Sequence, residues 1–190
     1  WKDNSDIAGP LYKTGIEPPT ITLCPSTSKV QDYLYFGFEK LFSAAILKGA
    51  ILITASEQPS HCFSRVNTGP DSDGSWTTSC KCRRCAPKGP LNVISEIINT
   101  IHLAAKSANK DAKIIAWDWA WFLFCKAPYR ELINKINNDV IIMADFERGG
   151  KVRRLGKTRT IEEYSLMYPG PSRWFVKQAQ NLAGKRKLWA

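Results

Sequence analysis

No apolar run in these 190 residues approaches the roughly 18 that a membrane-crossing helix needs, and the opening residues do not read as a basic-then-apolar leader. A membrane is therefore not an expected partner. The chain also lacks a Gly-rich turn: where the first predicted strand ends, Cys24-Pro25-Ser26-Thr27 stands in place of the phosphate-binding loop of a dinucleotide fold. No exact repeat is present, and no nucleic-acid-binding motif or Arg-aromatic platform accompanies the positive charge. Disorder is excluded as well, because 44% of the residues are hydrophobic and 11% aromatic, enough for one globular unit with a sizeable core.

The charge is uneven. Of the net +10, residues 1–100 hold 10 Lys/Arg against 9 Asp/Glu, and residues 101–190 hold 17 against 8. The excess is densest at Lys151, Arg153, Arg154, Lys157 and Arg159 and again at Lys185, Arg186 and Lys187. Such runs are ordinarily solvated faces, and they can also meet phosphates.

Four of the six cysteines fall between Cys62 and Cys85, beside His61. Cys80-Lys81-Cys82-Arg83-Arg84-Cys85, with Cys62 upstream, has thiols at spacings that can surround a tetrahedral Zn2+; disulfide pairing of Cys62 with one of the others is the rival. Either staple is expected to draw Cys62, Cys80, Cys82 and Cys85 together, because the aperiodic loop at 58–89 cannot order itself by apolar burial. Four protein ligands leave no open position, so this zinc would be structural and catalysis would need no cofactor. His61 is expected to be a loop hydrogen-bonder. The cysteine count leaves cytoplasmic and periplasmic or secreted locations both open.

Along the chain, short apolar runs alternate with helical stripes. Strands are expected at residues 20–24, 50–54, 113–117 and 140–143, with a fifth opening at Lys187. Between them, apolar residues recur at helical spacing over 28–48, from Pro90 to Ala105, over 129–136 and over 172–183. This order predicts an α/β fold with a parallel sheet, and a partial (β/α)8 barrel is preferred to a doubly wound sheet because polar and aromatic residues gather at the strands' carboxyl ends. A closed barrel takes about 250 residues, so residues 1–190 are expected to supply about four strand-helix units of a single barrel domain whose remainder lies outside the chain.

Those carboxyl ends carry the candidate chemistry. Glu57 follows the second strand, where an acid in an apolar surround can have the raised pKa that proton donation to a glycosidic oxygen requires. Trp117-Asp118-Trp119-Ala120-Trp121 places three indoles around one carboxylate, suited to stacking on sugar faces and holding hydroxyls, with buried core tryptophans as the alternative. Asp145 and Glu147 end the fourth strand and would share a face if extended, either lining the cleft or pairing with Arg148, Arg153 or Arg154.

Thr54-Ala55-Ser56-Glu57, the cysteine loop, the helix from Pro90 and Ala116-Trp117-Asp118-Trp119 together resemble the catalytic barrel of glycoside hydrolase family 20, the β-N-acetylhexosaminidases, and related uncharacterised bacterial barrels. The resemblance spans residues 51–121 and implies a carbohydrate substrate, a hexoside or N-acetylhexosaminide, with Glu57 as general acid, Trp117 lining an acetamido pocket and Asp118 or Asp145 as partner carboxylate. Ser56 stands where the family has the Asp that positions the acetamido group, so Ser56, Trp119 and Glu147 are expected to bind substrate. The alternatives are a non-catalytic carbohydrate-binding barrel, supported by Ser56, and a zinc-stapled nucleic-acid-binding module, which the missing motifs disfavour.

Overall fold

The computed structural model describes residues 4–12, 20–45, 47–55, 60–64, 68–70, 76–78, 80–161 and 170–190. Four strands pair in parallel: β3 (Gly49–Ile53), β6 (Lys113–Trp117), β7 (Ile141–Met143) and β10 (Leu188–Trp189). Their spatial order, β10-β7-β6-β3, follows the chain without reversal. Helices α1 (Ser28–Ala44), α2 (Gly89–Ala108), α3 (Arg130–Ile133) and α4 (Arg173–Leu182) complete the expected alternation. The α/β class and the parallel sheet are thus as expected, and the four strands do not close on themselves.

The helix α2 shows why the alternation is legible. Its expected face, Val93, Ile94, Ile97, Ile98, Ile101, His102, Ala104 and Ala105, is buried throughout. It shares one core with Leu52, Ile114, Ala116 and Ile142, alternate residues of the central strands. Fully burying each of Val93, Ile94 and Ile98 stabilises the fold by about 1.5–3 kcal/mol. The opposite sheet face is less covered: Ile53, Trp117, Met143 and Trp189 lie in register across it, and Ile51, Ile53 and Trp189 are about half exposed.

The helix α1 is shorter than its stripe, ending at Ala44 rather than Lys48. It is capped by Thr27, whose Oγ1 accepts from Val30 N. Val30 and Phe42 are buried, but Tyr33 and Leu41 are exposed. The expected helix over 129–136 contracts to the single turn of α3, after Tyr129 takes a left-handed backbone at φ 56°.

One expectation is corrected. The strand at 20–24 does not join the parallel sheet: β2 (Thr20–Leu23) pairs antiparallel with β1 (Ala8–Tyr12), which satisfies its backbone locally and frees Cys24 to turn toward the cysteine loop. The basic stretch after residue 150, to which the strand-helix alternation assigns no element, is a hairpin of β8 (Lys151–Arg154) and β9 (Lys157–Thr160). Leu155 and Gly156, at φ 50° and 75°, form the two-residue turn whose twist matches that of the strands. Within 58–89 a small pair, β4 (Thr68–Pro70) and β5 (Trp76–Thr78), also forms. Among the described residues no helix is long and apolar enough to cross a membrane.

Candidate metal centre and sheet-edge site

Three separate segments bring cysteines to one point. Cys24 leaves β2, Cys62 lies in the turn 62–64 after β3, and Cys82 and Cys85 sit on the turn that leads through a 3-10 segment (Ala86–Lys88) into α2. All four are buried, and their Sγ atoms lie within 4.8 Å of one another. Cys24 Sγ is 3.5 Å from the sulfurs of both Cys82 and Cys85. Ligands at 2.3 Å from a tetrahedral zinc stand about 3.8 Å apart, whereas a disulfide needs about 2.05 Å. All six cysteines are free thiols, and four of them stand close enough together to hold a metal ion.

The ligand set differs from the one spacing suggested. Cys62, Cys82 and Cys85 converge as expected, but Cys24 takes the place of Cys80. The Cys80 sulfur is already engaged: it accepts from Cys82 N at 3.4 Å and donates to the Cys62 carbonyl at 3.1 Å, bracing two ligands from outside the cage. Cys24 escaped sequence reading because it lies 58 residues from Cys82 and is delivered by the β1–β2 pairing.

Neighbouring groups suit a cage of thiolates. Arg84 Nε donates to Cys24 Sγ at 3.3 Å while its Nη2 donates to Ala8 O at 2.7 Å, and Ser26 Oγ lies 3.2 Å from Cys85 Sγ. Four thiolates around a divalent cation leave two net negative charges, which Arg84 partly offsets. The Cys85 thiol has its pKa lowered to about 5, chiefly by the hydrogen bond from Cys62, whose own thiol is pushed up by that same interaction and by burial. Burial also raises Cys24 and Cys80. Without a cation these thiols cannot all ionise together, and a bound cation reverses that.

His61 is not a ligand. Its Nδ1 accepts from Phe63 N at 3.1 Å and its Nε2 donates to Thr54 O at the end of β3. This loop hydrogen-bonder, with its pKa lowered by burial, ties the segment after β3 back to the strand. Thr54 Oγ1 in turn accepts from Trp121 Nε1 at 3.1 Å.

Gly9 packs against the cage with no room for a side chain: a Cβ there would stand 2.8 Å from Cys62 Sγ and 2.5 Å from Thr22 Oγ1. Gly9→Ala is expected to weaken metal retention against a chromophoric chelator and to destabilise the chain by about 1–3 kcal/mol. Gly37→Ala, in α1 with open space around it, should instead stabilise by about 0.5–1 kcal/mol. Equal metal retention by Gly9→Ala and the unaltered chain would remove Gly9 from the site.

At the carboxyl edge of the sheet, β6 and β7 place a second set of groups. Asp145 Oδ1 accepts from Trp117 Nε1 at 2.8 Å, its Oδ2 from Arg148 Nε at 2.7 Å, and its backbone N donates to Asp118 Oδ1 at 3.1 Å. Burial raises the Asp118 carboxyl to about 7, and the negative charge of Asp145 adds to it. Asp118, Tyr129, Asp145, Arg148 and Gln178 line a pocket between the strand ends and α4, with room for roughly one water molecule. Sequence reading missed Tyr129 and Gln178, which α3's first turn and α4 carry in from elsewhere.

Trp121 parts from the other two indoles because β6 ends at Trp117 and the chain turns into a 3-10 segment (Trp121–Leu123). Trp117 is half-buried, Trp119 packs edge-on against it at 5.1 Å between centroids, and Trp121 is fully buried against Tyr129. The expectation that Asp145 and Glu147 share an extended face is corrected: β7 ends at Met143, and the chain turns so that Asp145 is buried in its pair with Arg148 and Glu147 is half-buried. Ser56 and Glu57 lie outside the described residues. Comparison with protein-family models, with curated proteins and with solved structures finds no match to this chain.

Proposed function

We propose that the chain is part of a glycosidase-like (β/α)8 barrel, acting on a hexoside or N-acetylhexosaminide with Glu57 as general acid, and that Cys24, Cys62, Cys82 and Cys85 hold a structural zinc. The observation that carries the hydrolase reading is the sheet itself. Four parallel strands stand in chain order, as neighbouring staves of a barrel do, and carry Trp117, Asp118 and Asp145 at their common carboxyl edge. The apolar face that exposes Ile51, Ile53 and Trp189 is of the kind a barrel turns inward. Glu57 follows β3 by four residues in the sequence.

In this reading Glu57 protonates the leaving oxygen, Trp117 offers an indole to the sugar, and the zinc holds the Glu57-bearing loop without touching substrate. Asp145, with both oxygens occupied, orients Trp117 and Arg148; Asp118 is the carboxyl that keeps a proton near neutral pH.

The test is hydrolysis of aryl glycosides by the intact protein that carries this chain. Glu57→Gln is expected to lower kcat by about 10²–10⁴-fold with little change in KM, most severely for poor leaving groups, which depend most on an acid. Unchanged turnover rejects the assignment. A non-catalytic carbohydrate-binding barrel is the second reading, favoured by Ser56 and by the internal engagement of Asp145. Sugar binding without turnover in the unaltered protein selects it.

A further inference from the structure

The opposite, amino edge of the parallel sheet holds a concentration of positive charge that the catalytic reading leaves unused. Lys113 opens β6, Lys187 precedes β10, Lys106 sits in the last turn of α2, and Lys185 and Arg186 follow α4. These five cations and one carboxylate, Asp139, line an open cavity of about 310 Å3. Among the described residues none of the five makes an ion pair.

Two features separate this cluster from ordinary surface lysines. Arg186 is fixed in place: its Nη2 donates to Ile136 O at 2.7 Å and to Asn138 Oδ1 at 2.8 Å, while its Nη1 is buried with no hydrogen-bond partner among the described residues. Lys106 is likewise held, donating to Lys110 O at 2.8 Å. The charge also exceeds what its surroundings balance. Lysines near helix C-termini complement about half a negative charge per helix, so the ends of α2 and α4 together with Asp139 offset about two of the five positive charges. About three remain facing one cavity, a field that draws a multivalent counter-ion.

We infer that this amino-edge cavity is a binding site for a small multivalent oxyanion, a phosphate or sulfate ester group, held by Lys113, Lys187 and Arg186. It stands on the geometry of the sheet's amino edge alone and is independent of the hydrolase reading at the carboxyl edge. A phosphate or sulfate presents several acceptor oxygens to the ammonium and guanidinium groups that line this cavity, whereas chloride gains only charge.

The experiment titrates the whole chain with inorganic phosphate, inorganic sulfate and pyrophosphate by calorimetry, against sodium chloride at matched ionic strength. Saturable binding is expected, tightest for pyrophosphate. Lys113→Gln and Lys187→Gln should each weaken it by about tenfold, the worth of one charge-assisted contact. Lys185→Gln provides a further variant, and metal content and melting temperature establish that each remains folded. Lys151→Gln, in the β8–β9 hairpin away from this cavity, removes the same charge and should leave affinity within about twofold. A preference between phosphate and sulfate at equal charge identifies the ester the site takes. Equal weakening by Lys151→Gln, absence of saturable binding below about 10 mM, or binding of duplex oligonucleotides without binding of the small anions overturns the site.

Discussion

Cys24→Ser is expected to abolish binding of the proposed zinc and most of the cooperative unfolding, while Cys80→Ser keeps both. The four sulfurs come from the end of β2, from the turn after β3 and from the entry to α2, so a metal among them would tie three separate segments at one point. A tetrathiolate zinc contributes about 10–16 kcal/mol of binding free energy in small zinc-dependent folds, comparable with the whole stability of an ordinary domain. Serine cannot supply a thiolate, so losing one of four ligands should cost several kcal/mol and leave the β1–β2 pair and the Cys62 turn poorly held. Cys80 offers its sulfur to a backbone N–H and a carbonyl, and serine can make both contacts, so that variant should lose about 1 kcal/mol. Metal stoichiometry by mass spectrometry and denaturant midpoints for the two variants decide the matter. The opposite pattern, metal retained by Cys24→Ser and lost by Cys80→Ser, would return the ligand set to the one inferred from spacing. A metal-free chain equally stable with and without chelator would end the zinc proposal.

That contrast shows which features can be read from sequence. The helix α2 was legible because eight buried residues recur at helical spacing, and β3, β6 and β7 because each is a short continuous apolar run. The β8–β9 hairpin was not, since its residues are almost all exposed and polar, and its turn uses Leu155-Gly156 where the strongest signals are Asn-Gly or Asp-Gly. Long-range pairing hid the rest. Nothing local to Thr20–Leu23 reveals that Ala8–Tyr12 will claim it, and therefore nothing local reveals Cys24 as a ligand. At the sheet edge, type and position were legible for Trp117, Asp118 and Asp145, but the sharing of one pocket by Asp118 with Tyr129 and Gln178 depends on where α3 and α4 dock.

Asp118→Asn is expected to stabilise the protein above pH 7 and to flatten its pH dependence between about 4 and 7. The Asp118 carboxyl is pushed up to about 7 in the folded chain from an ordinary 3.8, mainly by burial and then by the charge of Asp145. A folded-state pKa above the unfolded value means that the native state binds the proton more tightly. The contribution is complete below pH 3.8 and is lost as pH rises through 7, where the folded chain must carry a buried charge. A shift of that size corresponds to at most about 4 kcal/mol, with 1.36 kcal/mol per pKa unit. Asparagine keeps an oxygen for the Asp145 N–H and never ionises, and the Asp145–Arg148 pair stays intact. Denaturant midpoints at pH 5 and pH 8 for both proteins test the sign: a variant less stable than its parent at pH 8, or one with the same slope between the two, refutes the buried-acid assignment. Turnover then separates two roles. If Asp118 acts only by holding the strand end, the pH profile of kcat in Asp118→Asn keeps its shape, as the proposal of Glu57 as general acid requires. If it gives up a proton during the reaction, the limb near pH 7 disappears with the carboxyl.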